Sequence, residues 1–190
     1  MNDDHSTMKL AGLLARLSYR EGEFVLASGH KSDFYVDVKQ MIMTPIGTRL
    51  TGELLWDRLR RVGVDSVGGM AVGAVPLVSA VLAAAAARGD ESASGFFVRR
   101  DVKGHGTSRK IDGRFDAGAT IGLVEDVVTT GESTILAIDA VEAAGGSVAA
   151  VVSVVDREES DGLANLASRV PVVEALVTRT LILEAAARAR

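Results

Sequence analysis

"IGLVEDVVTTGES" at residues 121–133 decides the fold. Its apolar half is typical of a strand buried on both faces, and it ends on two adjacent carboxylates, Glu125 and Asp126, followed by small hydroxyls and one glycine. A helical pattern, "ESTILAIDAVEAAGG" (132–146), and a second apolar run, "SVAAVVSVVDRE" (147–158), come next. Strand, loop, helix and strand in this order form the repeating unit of a parallel sheet covered on both faces. The alternation continues outward. Upstream lie "VDSVGGM" (64–70) as strand and turn, "PLVSAVLAAAAARG" (76–89) as a helix and "GFFVRR" (95–100) as a strand; downstream, "DGLANLASRV" (161–170) reads as a short helix and "VVEALVT" (172–178) as the last strand.

The N-terminal third reads differently. Leu10, Leu13, Leu14 and Leu17 recur at helical spacing, "EFVLASGHKSDFYVDVK" (23–39) reads as a hairpin, and Thr44 before Pro45 starts a helix that Gly63 ends. The chain is therefore expected to be one α/β domain over residues 1–190, with a helix and hairpin at about 1–40 and a mainly parallel core at about 60–180. It shows no internal repeat and no linker.

Composition narrows the function classes. Cysteine is absent, which excludes disulfides and thiolate chemistry. The apolar run from Val75 to Ala87 is shorter than the roughly 18 residues of a membrane span, and the start "MNDDHSTMK" lacks a basic signal region, so a cytoplasmic protein with no membrane partner is expected. The net charge of -4 argues against a general nucleic-acid binder. One segment differs: between Phe97 and Arg114, six basic residues face two acidic ones.

In open parallel sheets, ligands bind where strand ends lead into helices. After Asp126, residues Val127, Val128, Thr129, Thr130, Gly131, Glu132 and Ser133 carry the chain into a helix. Free backbone N–H groups, a glycine and flanking hydroxyls form a phosphate cradle there. Glu125 and Asp126 are placed to hold ribose hydroxyls or a hydrated Mg2+. Adjacent carboxylates at a buried strand end also repel, so a positive group is expected beside them. The bland alternative is an ordinary helix cap after two strand-end charges.

This stretch resembles the phosphoribosyl diphosphate (PRPP) motif of type I phosphoribosyltransferases. "FVLASGHKSDFYVDVK" (24–39) is similar to the hairpin of orotate phosphoribosyltransferases, "RRDVKGHG" (99–106) to their mobile catalytic loop, and "VVDREE" (154–159) to their strand end with an arginine after an aspartate. The resemblance runs from about residue 10 to the C-terminus. It implies a type I phosphoribosyltransferase fold whose N-terminal helix and hairpin form a hood over the base, and transfer of phosphoribose from PRPP to orotate with Mg2+, in pyrimidine biosynthesis. It also implies a homodimer whose catalytic loop serves the neighbouring subunit's site.

By the same resemblance, Lys103 and His105 meet the pyrophosphate with Arg99 and Arg100 beside them, residues 125–133 hold PRPP, and Asp126 joins the catalytic set. Mg2+ is held mainly through PRPP, near Glu125 and Asp126, with no direct protein ligand. Orotate is assigned to Phe34, Tyr35, Thr129 and Arg157, a ring against aromatic side chains and a carboxylate against a guanidinium. The plainer readings are a solvated basic loop at 99–114, core packing for Phe34 or Tyr35, and an Arg157 paired with Glu158 or Asp161. The family often carries lysine where Ala27 stands and Tyr-Lys where Val72 and Gly73 stand. Two rival functions remain: transfer to another purine or pyrimidine, or a PRPP-sensing regulator without turnover.

Overall fold

The computed structural model describes residues 3–25, 31–100 and 110–188. The first helix, α1 (Asp3–Leu17), buries Leu10, Leu13 and Leu14. β1 (Tyr19–Val25) and β2 (Lys31–Val36) pair antiparallel as a separate two-stranded sheet. Asp37 then caps a short helix, α2 (Val38–Ile42), by accepting the Lys39 N–H at 3.1 Å. Thr44 caps α3 (Pro45–Arg61) by accepting the Gly47 N–H at 3.1 Å, and Pro45 occupies the first turn, where no N–H is needed.

From there the chain alternates: β3 (Ser66–Gly68), α4 (Ala74–Ala87), β4 (Ser94–Val98), β5 (Ile111–Gly113), β6 (Ile121–Val128), α5 (Glu132–Ala143), β7 (Val148–Asp156), α6 (Gly162–Ala167), β8 (Val172–Thr178) and α7 (Arg179–Arg188). The six-stranded sheet has the order β5-β4-β3-β6-β7-β8 and is parallel except for β5, which runs antiparallel to β4. The fold is thus α/β with a mainly parallel sheet flanked by helices. Three elements were not expected from the sequence. α2 and β5 are too short to show a period, and α7 continues the chain where the last strand was expected to end it.

Two buried clusters cover the sheet. One joins Leu10, Leu54, Leu59, Leu77 and Val81 to Val152 and Val154; the other joins Phe96, Ile121, Leu123, Ile138 and Val141 to Val151 and Leu166. α3 and α4 approach closely because Gly52 has no side chain: a Cβ there would lie 2.3 Å from the Ala80 carbonyl oxygen. Strand order reverses between β3 and β6, since α4 leads away to β4 and α5 leads the other way to β7. The loops leaving β3 and β6 therefore open a crevice at the carboxyl ends of adjacent strands.

Candidate active site

The acidic pair sits at that crevice and its two members face different surroundings. Glu125 is buried, at 4% exposure. Its Oε2 accepts the Ser133 hydroxyl at 2.9 Å and the Thr134 hydroxyl at 2.7 Å, and its Oε1 accepts the Asp126 N–H at 3.2 Å. Burial, followed by the charge of Asp126, pushes the Glu125 carboxyl up to about 8, against the opposing effect of the two hydroxyls. Burial and the neighbouring charge therefore favour the neutral form of Glu125 far more than in an exposed carboxyl. Asp126 is the member that retains a solvent-facing side chain.

The positive group expected beside the pair is Lys39. Its Nζ lies 3.0 Å from Asp37 Oδ1 and 3.7 Å from Asp126 Oδ2. Burial works against the Lys39 ammonium, but the hydrogen bond to Asp37 and the charges of Asp126 and Asp37 outweigh it and raise its pKa. Asp37 moves the other way: burial raises it, and its bonds to Lys39 and Gln40 bring it below the ordinary value. Across the crevice, Gly73 leaves room for the Asp126 carboxyl, which a Cβ at that position would approach to 2.7 Å.

The loop between β6 and α5 is shaped by backbone needs. Gly131 caps α5 at φ 80°, a left-handed conformation, and a Cβ there would meet Leu166 Cγ at 3.0 Å. α6 braces the loop from behind: Asn165 Nδ2 donates to the Thr130 carbonyl at 3.0 Å, and Gly162 packs against the Thr129 carbonyl. The Thr130 hydroxyl accepts the Glu132 N–H at 3.4 Å. Val128 is buried, and Val127 is partly buried against the core.

Arg157 follows β7 and is 3% exposed. Its backbone N–H donates to the Val128 carbonyl at 3.0 Å, which ties it to the end of β6, where the loop to α5 begins. Its guanidinium donates to Glu159 Oε2 and to Ser32 Oγ, both at 2.9 Å, so the pairing residue is Glu159 rather than Glu158 or Asp161. The Phe34 ring is fully buried, stacks near Tyr19, and has the guanidiniums of Arg157 and Arg179 4.1 and 4.0 Å from its centroid. Adjacent strand residues face opposite sides, and Tyr35 is 40% exposed beside Phe24.

Arg99 is held by Asp112 of β5, and its guanidinium lies 5.8 Å from the Phe97 ring centroid; Arg100 is exposed. Lys103 and His105 lie outside the described residues. Four residues that the sequence reading did not place in the site belong to its geometry: Ser32, Asp37, Thr134 and Glu159. Asp37 had a local signal, an aspartate two residues before a basic position at a hairpin end. Glu159 is also local, two residues after Arg157, but stands among other carboxylates; Ser32 acts across 125 residues, and Thr134 through a hydroxyl that reads as a helix cap.

No family model matches the chain. It is 40% identical over 163 residues to an orotate phosphoribosyltransferase of a Bradyrhizobium species, covering 84% of this chain and 88% of that relative. The chain belongs to the orotate phosphoribosyltransferase family. Among solved structures, the Mycobacterium tuberculosis orotate phosphoribosyltransferase in complex with Fe(III) dicitrate matches with a TM-score of 0.79 and 31% identity, over 93% of this chain and 98% of that one. The same enzyme in complex with PRPP matches with a TM-score of 0.74 and 28% identity over the same shares. Membership in this phosphoribosyltransferase family makes the chain a pentosyltransferase. Among the described residues, no helix is long and apolar enough to cross a membrane.

Proposed function

We propose that this chain transfers phosphoribose from PRPP to orotate, giving orotidine 5'-monophosphate and pyrophosphate for pyrimidine biosynthesis, as a cytoplasmic homodimer. The observation that carries the choice of base is Arg157, a buried guanidinium hydrogen-bonded through its backbone to the end of β6. Glu159 already pairs with this guanidinium through Nε, and a planar guanidinium has further N–H donors with which to meet the carboxylate of an orotate, a contact that an uncharged base does not offer.

The bond from the anomeric carbon to the pyrophosphate oxygen breaks, a bond from an orotate ring nitrogen forms on the opposite face, and the proton of that nitrogen is released to the departing pyrophosphate or to water. No covalent nucleophile is needed, so the protein's work is positioning and electrostatic stabilisation. The backbone from Thr129 to Ser133 receives the 5'-phosphate. Asp126 faces the ribose, while Glu125 holds Ser133 in place from beneath. Arg99, Arg100, Lys103 and His105 take the pyrophosphate, with the last two supplied across the dimer. Arg157 takes the orotate carboxylate, Thr129 borders the base, and Tyr35 offers an exposed ring. The helix and hairpin at about 1–40 act as a hood over a core at about 60–180.

The residues present fit a Mg2+ that arrives on the substrate. Among the described residues no three His, Cys, Asp or Glu side chains form a metal cage, Glu125 is buried with its neutral form favoured, and Asp126 offers one carboxylate. Mg2+ keeps most of its waters and needs few protein ligands when phosphates supply the rest. When bound, it offsets charge on the pyrophosphate.

The experiment is pyrophosphate release from PRPP and Mg2+ with a panel of bases. Orotate is expected to react, and adenine, guanine, hypoxanthine and uracil are not. Equal rates with uracil and orotate would show that the carboxylate is not read. Mixing Lys103→Ala with Asp126→Asn subunits tests the shared loop: activity is expected to rise above either mutant alone, toward half the wild-type value per heterodimer.

A further inference from the structure

Lys39 lies on α2, outside the loops that form the crevice, and yet its ammonium reaches the crevice. The side chain is 48% exposed, with Nζ between Asp37 Oδ1 and Asp126 Oδ2. Asp126 is constrained on its other sides as well. Its Oδ1 accepts the Val127 N–H at 3.0 Å, and the carboxyl lies against the backbone of Gly73. The β3–α4 loop opposite presents Met70, Ala71, Val72 and Gly73, none of them charged. Among the described residues, the cation paired with the acidic strand end is Lys39.

Two carboxylates at the mouth of a site for a polyanion are an electrostatic liability. Glu125 avoids it by turning inward, where it is buried against the hydroxyls of Ser133 and Thr134. Asp126 keeps its solvent-facing carboxyl, so its charge must be balanced from outside the strand. We propose that Lys39 is a positioning residue of the PRPP site: its ammonium fixes the orientation of the Asp126 carboxylate and balances its charge where the substrate's phosphates approach. Asp37 acts one step behind, anchoring Lys39 through the cap of α2, so the hairpin end and the acidic strand end are held as one unit. This inference rests on the reading of the chain as a PRPP-dependent transferase.

The test uses Lys39→Met and Lys39→Arg in the full chain, with three readouts: PRPP binding by calorimetry with Mg2+, KM for each substrate, and melting temperature. Lys39→Met is expected to weaken PRPP binding and raise the PRPP KM by roughly tenfold or more, the scale of losing one charge-assisted contact. The orotate KM should stay within about twofold and the melting temperature near wild type, since a half-exposed side chain leaves little cavity. Lys39→Arg should recover most of the affinity. Unchanged PRPP binding in Lys39→Met would overturn the proposal, and so would an equal loss for both substrates with a lowered melting temperature, which would indicate general damage to the hood. A wild-type protein that binds PRPP but transfers nothing to orotate would instead overturn the proposed function, and the binding comparison would still decide the role of Lys39.

Discussion

Thr134 donates its hydroxyl to Glu125 at 2.7 Å, and neither side chain is more than 4% exposed. A buried carboxyl with hydroxyl partners is held in one orientation, and its protonation is linked to folding. Its pKa of about 8 in the folded protein stands above the ordinary 4.5, so the folded state binds the proton more tightly than the unfolded chain. The stability this contributes is fully present below about pH 4.5 and is lost as pH rises through about 8. The ligand-free protein should therefore show a falling melting temperature across that window. Glu125→Gln, which cannot ionise, should flatten the fall, and an unchanged slope in that variant would show that Glu125 is not the titrating group.

Thr134→Val keeps the shape and removes the donor. It leaves Glu125 Oε2 with Ser133 alone, so we expect a loss of roughly 0.5–1.5 kcal/mol in chemical denaturation, the net scale of one hydrogen bond. Restoration by Thr134→Ser would tie the loss to the hydroxyl.

Gly73→Ala probes the room left for Asp126. The backbone at Gly73 is helical, with φ -57°, so alanine fits the conformation, but its Cβ would collide with the Asp126 carboxyl. Turnover should fall by up to about 10²-fold, as expected when a reacting geometry shifts by an ångström. The melting temperature should change little. Full activity in this variant would remove the position of Asp126 from the account of catalysis.

Gly131→Ala probes the loop between β6 and α5. At φ 80° a side chain costs about 1–2 kcal/mol, and Leu166 and the Gly162 carbonyl crowd the Cβ. Lower stability together with weaker PRPP binding is the expected pair of outcomes, read by calorimetry and thermal denaturation.

Arg157→Lys separates charge from geometry. Lysine keeps the charge but lacks the planar fork that now spans Glu159 and Ser32. The orotate KM should rise by roughly 10- to 10²-fold, the equivalent of about 1.5–3 kcal/mol, with the PRPP KM little changed. An orotate KM within twofold of wild type would count against a carboxylate at this guanidinium.

Much of the fold could be read from β6 and β7, because strands buried on both faces become continuous runs such as "SVVD" and "IGLVEDVV". β1 was harder: "YREGEFV" alternates weakly because much of it faces water, and it starts at Tyr19, ahead of the expected Glu23. In the site, the acidic pair and the glycine after it were legible as an ordered motif. The inward turn of Glu125 was not, since a hydroxyl at a helix start looks the same whether it caps the helix or reaches a carboxyl. Nor does alternation alone decide whether Phe34 or Tyr35 faces inward. That depends on which side of the hairpin meets Arg157 and Arg179, and these cations come more than 120 residues later.

This separation has a consequence for the order of assembly during synthesis. Ser32 waits 125 positions for Arg157, and Asp33 waits 146 for Arg179. A growing chain on the ribosome therefore exposes the hairpin, with Phe34 uncovered, until nearly the whole polypeptide has emerged. Closing so long a segment is entropically costly and gains its contacts only at the end. The corner formed by Ser32, Asp33 and Phe34 is thus completed only late in synthesis, shortly before α7 packs against α1.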